Sequence, residues 1–400
     1  MSQFDLGGKA MRPDQPEFSD ALAGLYSSRF RPKCMCRNPG VEMYIAKVQG
    51  KFIVKRMPDS GQRHSPNCDS FEPPPELSGL GEVAGSAIRE NPDDGTTTIK
   101  LGFSLTKTGA RTAPPAGEGE GGSVKSDGSK LTIRGVLHLL WEEAGFNKWS
   151  PAMAGKRNWY VIRKYLLQAA ADKVAKGAGL SDMLYIPENY HPDKAAEISQ
   201  RRTSHLSRVA STGKGIRRLM MVVGEVKELS PSRYGHKIIL KHLPDYPFML
   251  NEDIHRRLLK RFELDLGLWD AVEGAKLIVI GAFGVGPTGV ASLEEVALMA
   301  CSENWLPFEN LYEKSLLDTL HAGNRRFSKC LRYNLAADKP LASVVLTDTA
   351  PDPFALYVVP PGSSAEYQAS VDQLIADSRF PAWIWNAGEG SMPALPSIAR

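Results

Sequence analysis

The stretch Cys34-Met35-Cys36 is followed, after twenty-seven residues, by His64-Ser65-Pro66-Asn67-Cys68. Residues 43–57 between them form two β-prone runs on either side of Gly50, a pattern typical of a β-hairpin. Because a hairpin returns the chain to its starting point, the second stretch is expected to lie beside the first. We therefore predict a structural zinc site with three sulfur ligands and one nitrogen ligand, formed by Cys34, Cys36, His64 and Cys68.

The first pair of ligands is expected to lie on an extended strand. Successive side chains of a strand point to opposite faces, so Cys34 and Cys36 should direct both sulfurs to one side and Met35 away from it. Two alternatives remain open. The residues could be reduced thiols with a surface histidine, or Cys34 and Cys36 could form a disulfide, which their adjacency would strain. The polar, loop-rich character of the segment favours the metal.

The composition bounds the class of protein. Of the 400 residues, 42% are hydrophobic and 24% are charged, which is ordinary for a globular protein of two to four domains. Neither an N-terminal apolar region typical of a signal peptide nor a membrane-spanning apolar run is present in the sequence, so a cytoplasmic location is expected. The other two cysteines, Cys301 and Cys330, are isolated, which suits a reducing compartment better than a disulfide framework.

The distribution of apolar runs, prolines and glycines predicts an α+β multidomain chain. A small zinc-ribbon-like β module is followed by a segment dense in Gly, Pro, Ser and charge, which is predicted to be a flexible linker because it has little apolar surface to bury. The predicted divisions are a lead-in at 1–30, the zinc-binding β module at 31–106, the linker at 107–130, a basic helical block at 131–215, an α+β block with antiparallel strands at 216–303 and a C-terminal α+β block at 304–400.

Hydrophobic periodicity places the main elements. Apolar residues at helical spacing predict helices over 132–144 and 159–176. Apolar runs at 276–283 and 290–299 predict an antiparallel pair of strands. The glycine-rich stretch 284–289 between them is interpreted as a hairpin turn rather than a dinucleotide-binding loop, because a strand and not a helix is expected after it.

Basic residues are concentrated in the middle of the chain, where they are interleaved with Trp159 and Tyr160. Lysine and arginine neutralise phosphates and aromatic rings stack on bases, so this combination is typical of nucleic-acid binding. The alternative is a set of solvated helix faces whose arginines pair with acids elsewhere. The candidate DNA- or RNA-binding residues are Lys156, Arg157, Arg163, Lys164, Arg201, Arg202, Arg217 and Arg218.

A metal-dependent nuclease is the rival hypothesis. Glu225 and Lys227 have the Glu-x-Lys spacing in which a carboxylate holds Mg²⁺ and a lysine positions the attacking water, but the upstream aspartate is missing.

The C-terminal block resembles a restriction-endonuclease-like core in its order of helices and strands. The positions that would match the metal-binding residues of such a core hold Ser343, Tyr357 and Val359, which do not bind a divalent cation as carboxylates do. The block is therefore predicted to be a degenerate, inactive core. Asp348 or Asp352 would have to substitute if catalysis remained.

Several short segments that are spread along nearly the whole chain resemble the sequence of one protein family. These segments are 34–37, 56–61, 64, 68–74, 155–159, 234–238 and 331–334. Together they resemble the bacterial domain-of-unknown-function family 1173, whose three defining N-terminal cysteines match Cys34, Cys36 and Cys68. The resemblance implies no catalytic residues, because the family has no established activity. Its members tend to occur on plasmids and integrated mobile elements, which favours a role with nucleic acid.

These features predict a zinc-binding cytoplasmic accessory protein that binds DNA or RNA for a bacterial plasmid or integrated mobile element. Its cofactor would be structural zinc, and its other partners would be proteins of a mobile-element complex and not a membrane. An enzymatic activity is not expected, and would be that of a nuclease if present. The third hypothesis is a protein-interaction module without nucleic-acid binding.

Overall fold

The computed structural model describes residues 2–107, 128–211, 215–233 and 235–399. Within these ranges, no helix combines the length and the apolar composition needed to cross a bilayer. Residues 108–127 of the linker predicted at 107–130 lie outside the described residues.

Several helices begin at a side chain that accepts a hydrogen bond from the first turn, which satisfies a backbone donor that the helix itself leaves unpaired. Thr132 accepts from the Gly135 amide and Asn158 accepts from the Val161 amide. The helices are α1 (Phe18–Tyr26), α2 (Ile133–Glu143), α3 (Trp159–Ala170), α4 (Ala195–Leu206), α5 (Glu252–Arg261), α6 (Glu263–Ala271), α7 (Leu311–Ala322) and α8 (Ala365–Asp377).

The strands fall into several sheets. They are β1 (Phe4–Asp5), β2 (Ala10–Met11), β3 (Lys33–Cys34), β4 (Val41–Val48), β5 (Lys51–Arg56), β6 (Ile88–Glu90), β7 (Thr97–Ile99), β8 (Thr106–Lys107), β9 (Lys148–Trp149), β10 (Lys173–Ala175), β11 (Ala178–Gly179), β12 (Leu184–Tyr185), β13 (Arg217–Arg218), β14 (Met220–Ser232), β15 (Gly235–Leu240), β16 (Leu243–Leu250), β17 (Lys276–Val285), β18 (Ala291–Cys301), β19 (Phe327–Lys329), β20 (Val344–Leu346), β21 (Phe354–Val359) and β22 (Ala382–Asn386).

The first sheet carries the cysteine segment and has the antiparallel order β2-β1-β3-β4-β5. The strands β1 and β2 come from residues that the sequence placed in the lead-in at 1–30, so part of that lead-in is integral to this sheet. The sheet and α1 enclose a small core of their own. Its buried members are Phe4, Leu6, Met11, Phe18, Leu22, Cys34, Val41, Met43 and Ile45.

The hairpin predicted within 43–57 is confirmed as the pair β4 and β5. Its two-residue turn consists of Gln49 and Gly50, both with positive φ, at 49° and 80°. Positive φ at both central residues matches the right-handed twist of the two strands. This hairpin supports the strand that carries Cys34, because β4 pairs with β3 on its other edge.

A second sheet, of order β11-β10-β7-β6, joins residues on both sides of the predicted linker. Its strand β10 runs parallel to β7, with Val174 opposite Thr98. The prediction of one helix over 159–176 was therefore wrong at its C-terminal end, because α3 stops at Ala170 and residues 173–175 pair with a distant strand. The helix predicted over 132–144 is confirmed as α2.

The third sheet closes into a barrel, because β14 pairs with both β15 and β17. The order around the barrel is β14-β15-β16-β18-β17 and back to β14, and β12 adds to the outside of β14. Only the β16–β18 pair is parallel among these five strands. The predicted pair at 276–283 and 290–299 is confirmed as β17 and β18, and the glycine-rich stretch 284–289 contains their hairpin turn.

The C-terminal sheet has the order β22-β21-β20-β19-β9, in which only β21 and β22 are parallel. The chain order of this block is α7, β19, β20, β21, α8 and β22. Its edge strand β9 lies within the predicted helical block at 131–215. Ser343, Tyr357 and Val359 are all buried within it.

Candidate metal centre

The four predicted ligands are brought together by the N-terminal sheet and by the loop that follows its last strand. Cys34 is the last residue of β3, and Cys36 lies in the turn after it, so the chain is not extended through both cysteines as expected. Met35 is 48% exposed and does point away from the cluster. A short 3₁₀ helix, Gly61–Arg63, follows β5 and delivers His64, and a turn closed by the Cys68 amide on the Ser65 carbonyl delivers Cys68.

The separations of the ligand atoms fit one tetrahedral ion. With Zn–S bonds near 2.3 Å and Zn–N bonds near 2.0 Å, two sulfur ligands lie about 3.8 Å apart and a sulfur and a nitrogen about 3.5 Å apart. The Sγ atoms of Cys34 and Cys68 are 3.6 Å apart. His64 Nδ1 lies 3.4 Å from Cys36 Sγ and 3.7 Å from Cys68 Sγ. All four ligand atoms lie within 4.8 Å of one another.

Two of the three sulfurs accept hydrogen bonds from backbone amides. The backbone amides of Ser65 and Ser70 donate hydrogen bonds to the Sγ atoms of Cys36 and Cys68, each at 3.4 Å, as outer groups around metal thiolates commonly do. The Cys34 thiol donates to Cys68 and lowers the pKa of the Cys68 thiol to about 4, while burial raises the pKa of Cys36. Hydrogen bonding and burial therefore act in opposite directions on the pKa values of these thiols.

The burial and redox state of the four residues agree with a closed structural site. Cys34 and His64 are fully buried, and Cys36 and Cys68 are half-buried. All five cysteines are free thiols, so the disulfide alternative is not adopted. His64 presents Nδ1 to the sulfurs and keeps Nε2 buried without a hydrogen-bond partner among the described residues. Three thiolates and one imidazole would fill the coordination shell of a zinc ion and would hold the loop 61–68 against β3.

The chain directly after Cys68 contacts the body of the protein. Lys148, on β9, donates hydrogen bonds of 2.9 Å to the carbonyls of Asp69 and Phe71, directly after the last ligand. Arg56, at the end of β5, pairs with Glu72 at 2.6 Å. The segment that follows the last of the four candidate ligands therefore joins the N-terminal sheet to the C-terminal sheet.

A cavity of about 720 Å³ lies beside this junction, and sequence reasoning missed it. Its wall includes Glu142 and Glu143, adjacent residues at the end of α2 with opposite pKa shifts. Burial raises the pKa of Glu142 to about 7, and Tyr333 Oη donates a 2.7 Å hydrogen bond to it. Burial also acts against the Glu143 carboxylate, but Lys173 and Lys55 outweigh it and lower its pKa to about 2. The sequence signal that could have indicated this cavity is the pair of adjacent acids, Glu142 and Glu143, within a helix that is otherwise apolar on one side.

Of the candidate nucleic-acid-binding residues, two are engaged in holding the fold. Arg157 donates hydrogen bonds to backbone carbonyls in the turn 145–148. Arg202 is buried and makes a two-point contact with Asp245 at 3.1 and 3.0 Å.

The other six lie in separate places. Arg163 and Arg201 come together around the segment 186–188, where Arg163 donates to the Ile186 carbonyl and Arg201 binds the Glu188 carboxylate at two points. The remaining four are exposed, two of them on or next to α3 and two on β13. They are Lys156, Lys164, Arg217 and Arg218.

Two of the carboxylates considered for a nuclease, Glu225 and Asp348, are engaged in other contacts. Glu225 is buried and pairs with Lys241 at 3.0 Å, and it belongs to none of the carboxylate and histidine clusters found in the described ranges. Asp348 binds Arg325 at two points, at 3.0 and 2.8 Å, and also accepts from the Arg326 amide. These contacts neutralise the carboxylates that a divalent cation would require.

The resemblance of the C-terminal block to a restriction-endonuclease-like core stays a prediction, because no similar known structure tests it. No curated protein and no solved structure matches the chain. A match to a protein family covers residues 4–388, nearly the whole chain, including the three cysteines, the barrel and the C-terminal sheet. The chain therefore belongs to the family described as protein of unknown function DUF1173.

Proposed function

We propose that this protein is a zinc-binding accessory protein that binds single-stranded DNA or RNA at one edge of its β-barrel. The main observation is the closed strand order β14-β15-β16-β18-β17. In chain order, the helices α5 and α6 lie between the third strand, β16, and the fourth, β17, and the third strand pairs in parallel with the fifth, β18. This is the connectivity of an OB-fold, a barrel that commonly binds oligonucleotides through its second and third strands and the loops beside them.

Fold alone does not establish function, so the charges on the barrel matter. Arg217 and Arg218 are exposed on β13, directly before the first strand of the barrel. Leu219, directly after them, lies against the end of β17, because its side chain is 3.0 Å from the position of a Cβ atom at Gly284. The two arginines therefore lie near the β17–β18 turn, one of the loops that borders the ligand face of an OB-fold.

The face between β15 and β16 adds a further cation. Lys237 lies in register with Ser230 on β14 and Met249 on β16. All three side chains alternate with the buried residues of the barrel interior and are half-buried. A lysine beside the apolar Met249 provides a surface for phosphate and base contacts together.

Zinc has a structural role in this proposal. The thiolate and imidazole donors suit zinc among the common metal ions, and a site with four protein ligands leaves no position for a substrate. The ion would stabilise the N-terminal sheet and the loop that contacts the body of the protein.

The test is fluorescence anisotropy of labelled oligothymidine with the full chain across a salt series. The Arg217→Gln/Arg218→Gln variant should bind more weakly, and the slope of log affinity against log salt should fall by about 1.4, the loss of two phosphate contacts on a single strand. The matched control is Arg256→Gln/Arg257→Gln, a doublet on α5 that is also exposed.

Unchanged affinity in the control supports the proposal. Equal weakening in both doublets would mean that only overall charge matters, and an affinity insensitive to salt would favour the protein-interaction hypothesis. Mg²⁺-dependent cleavage of the oligonucleotide, abolished by Glu225→Gln, would favour the nuclease instead.

A further inference from the structure

Two histidines and a glutamate meet at one end of the barrel, far in sequence from the cysteine centre. His236 is the second residue of β15, and Glu252 and His255 lie one turn apart on the first two turns of α5. The strand and the helix are adjacent, because β16 connects them and pairs with β15 at the same end, His236 being opposite Leu250. Their three candidate ligand atoms lie within 4.8 Å of one another.

We propose that His236, Glu252 and His255 form a second metal site, selective for a borderline transition-metal ion such as Zn²⁺. His236 Nδ1 and Glu252 Oε1 are 3.7 Å apart. That separation is too long for a hydrogen bond, but two ligands at 2.0–2.2 Å from one tetrahedral ion lie about 3.3–3.6 Å apart. The ion would occupy the gap that the two side chains leave between them.

The state of the His236 ring supports this assignment. Its Nδ1 atom is buried and has no hydrogen-bond partner among the described residues, although a buried nitrogen normally has one. The ring stacks on that of His255, with centroids 3.4 Å apart and planes 9° from parallel. The two imidazoles therefore lie face to face, with the Glu252 carboxylate near the His236 ring.

A second cluster of carboxylates and histidine differs from the proposed site, because a lysine neutralises its carboxylates. Glu303, Asp318 and His321 also lie close together, but Lys314 Nζ is 2.6 Å from Asp318 and 3.6 Å from Glu303. The lysine neutralises those carboxylates and takes the place of a cation. Within the described ranges, no lysine or arginine forms an ion pair with Glu252, and its ionic contact there is the one with His236.

The donor set predicts which ions bind and how tightly. Two imidazole nitrogens and one carboxylate suit Zn²⁺, Co²⁺ or Ni²⁺, whereas Mg²⁺ and Ca²⁺ prefer oxygen ligands only. With three protein ligands, the remaining coordination positions are left to water, because Glu252 is largely exposed. Binding also requires the two ring planes to tilt from their parallel arrangement, since the lone pair of an imidazole nitrogen lies in the plane of its ring.

Metal at this site would join β15 to α5 at the end of the barrel. The helix begins immediately after β16, so the ion would fix the turn between strand and helix in the way that a structural crosslink does. Its position beside the β14–β15 turn also places it at a loop that borders the face proposed above for nucleic acid. The site itself does not depend on that proposal.

The experiment is a titration of the full chain with Zn²⁺ by calorimetry, starting from protein that holds one zinc per chain by elemental analysis. We expect a second equivalent to bind. It should be lost in His255→Gln and in His236→Gln, and weakened at least about tenfold in Glu252→Gln. The matched control is Asp253→Asn, which removes a neighbouring charge from the same helical turn but is not a member of the cluster.

Retention of the second equivalent in all three variants, or its absence from the unmodified protein, would overturn the proposal. Equal weakening by Glu252→Gln and Asp253→Asn would also overturn it, because the effect would then be one of general charge at the helix N-terminus. Circular dichroism of each variant separates loss of the site from loss of the fold. The Cys68→Ala variant should keep this second site, so its failure is distinguishable from that of the cysteine centre.

Discussion

The Sγ atoms of Cys34 and Cys68 lie 3.6 Å apart, although 34 positions separate these residues in the chain. This distance is well beyond a disulfide bond and close to the edge of a zinc tetrahedron. Cys34 is one of only nine buried apolar residues in the core of the N-terminal sheet. So small a core provides little stability by itself, and metal binding would contribute directly to folding of this part of the chain.

Replacing one sulfur ligand should remove the metal and loosen the N-terminal sheet. We expect Cys68→Ala to lose its zinc and to become susceptible to proteolysis within residues 2–72, because three ligands bind zinc more weakly than four. Zinc per chain and limited proteolysis measure this. The control is Cys330→Ala, a buried cysteine of the C-terminal sheet, which should lose some thermal stability but keep its zinc. Equal zinc in both variants would contradict the assignment.

Gly79 should tolerate no side chain. A Cβ atom at this position would lie 1.8 Å from the backbone oxygen of Arg332, and the Gly79 amide donates to the Leu331 carbonyl at 2.9 Å. We expect Gly79→Ala to destabilise the protein by about 3 kcal/mol, since the backbone of one segment must move. The control is Gly267→Ala in α6, where nothing lies within 4 Å of the added methyl group and helix propensity should add up to about 1 kcal/mol. Denaturant unfolding of both variants measures the change in free energy of unfolding. Equal changes would argue against close packing of Gly79 on the backbone of residues 331–332.

The pair of Glu313 and Lys329 is a buried structural ion pair. Lys329 Nζ lies 3.1 Å from Glu313 Oε1, and both side chains are almost fully buried. Glu313→Gln leaves the buried ammonium group of Lys329 without its carboxylate partner, so we expect a loss of about 3 kcal/mol or more in free energy of unfolding. Asp318→Asn on the same helix removes an exposed partner of Lys314 and should cost about 0.5 kcal/mol. A small effect of Glu313→Gln would show that the pair is dispensable.

His138 should make stability depend on pH. Burial, and then the charge of Arg134, lower its pKa to about 3, and its Nδ1 accepts from the Tyr333 amide at 2.8 Å. Because the unfolded side chain titrates near 6.5, the neutral ring contributes stability that is complete above that pH and is lost as pH falls from about 6.5 towards 3. The slope would be about 1.4 kcal/mol per pH unit.

The variant His138→Asn keeps an acceptor for the Tyr333 amide but has no proton to take up. Its free energy of unfolding should therefore vary less between pH 7 and 4 than that of the unmodified protein. The control His191→Asn, at an exposed position, should follow the unmodified curve. Parallel curves for all three proteins would exclude His138 as the titrating group.

Features that depend on neighbouring residues in the chain, such as hairpin turns, could be predicted from the sequence. Gln49 and Gly50 lie between two β-prone runs, and this turn returns the chain so that His64 and Cys68 meet Cys34. The turn within 284–289 was also recognised correctly, because glycines between two apolar runs favour a hairpin.

Features that depend on distant partners were missed. Residues 173–175 continue a helical pattern, but Lys173 is fully buried and binds Glu143 at 2.8 Å, and its strand pairs with β7. Tertiary pairing overrides helix propensity there. The closure of the barrel could not be predicted for the same reason, because it requires β14 to pair with β17 across more than forty residues of intervening chain.

The most direct test of the metal centre is the absorption spectrum of the cobalt-substituted full chain. Thiolate ligands give charge-transfer bands with Co²⁺ in the near ultraviolet, whereas imidazole and carboxylate ligands do not, so the band reports on the cysteine centre alone. We predict a strong band that disappears in Cys36→Ala and Cys68→Ala and persists in Cys330→Ala. A spectrum without this band, or one that survives removal of Cys36 and Cys68, would contradict the account.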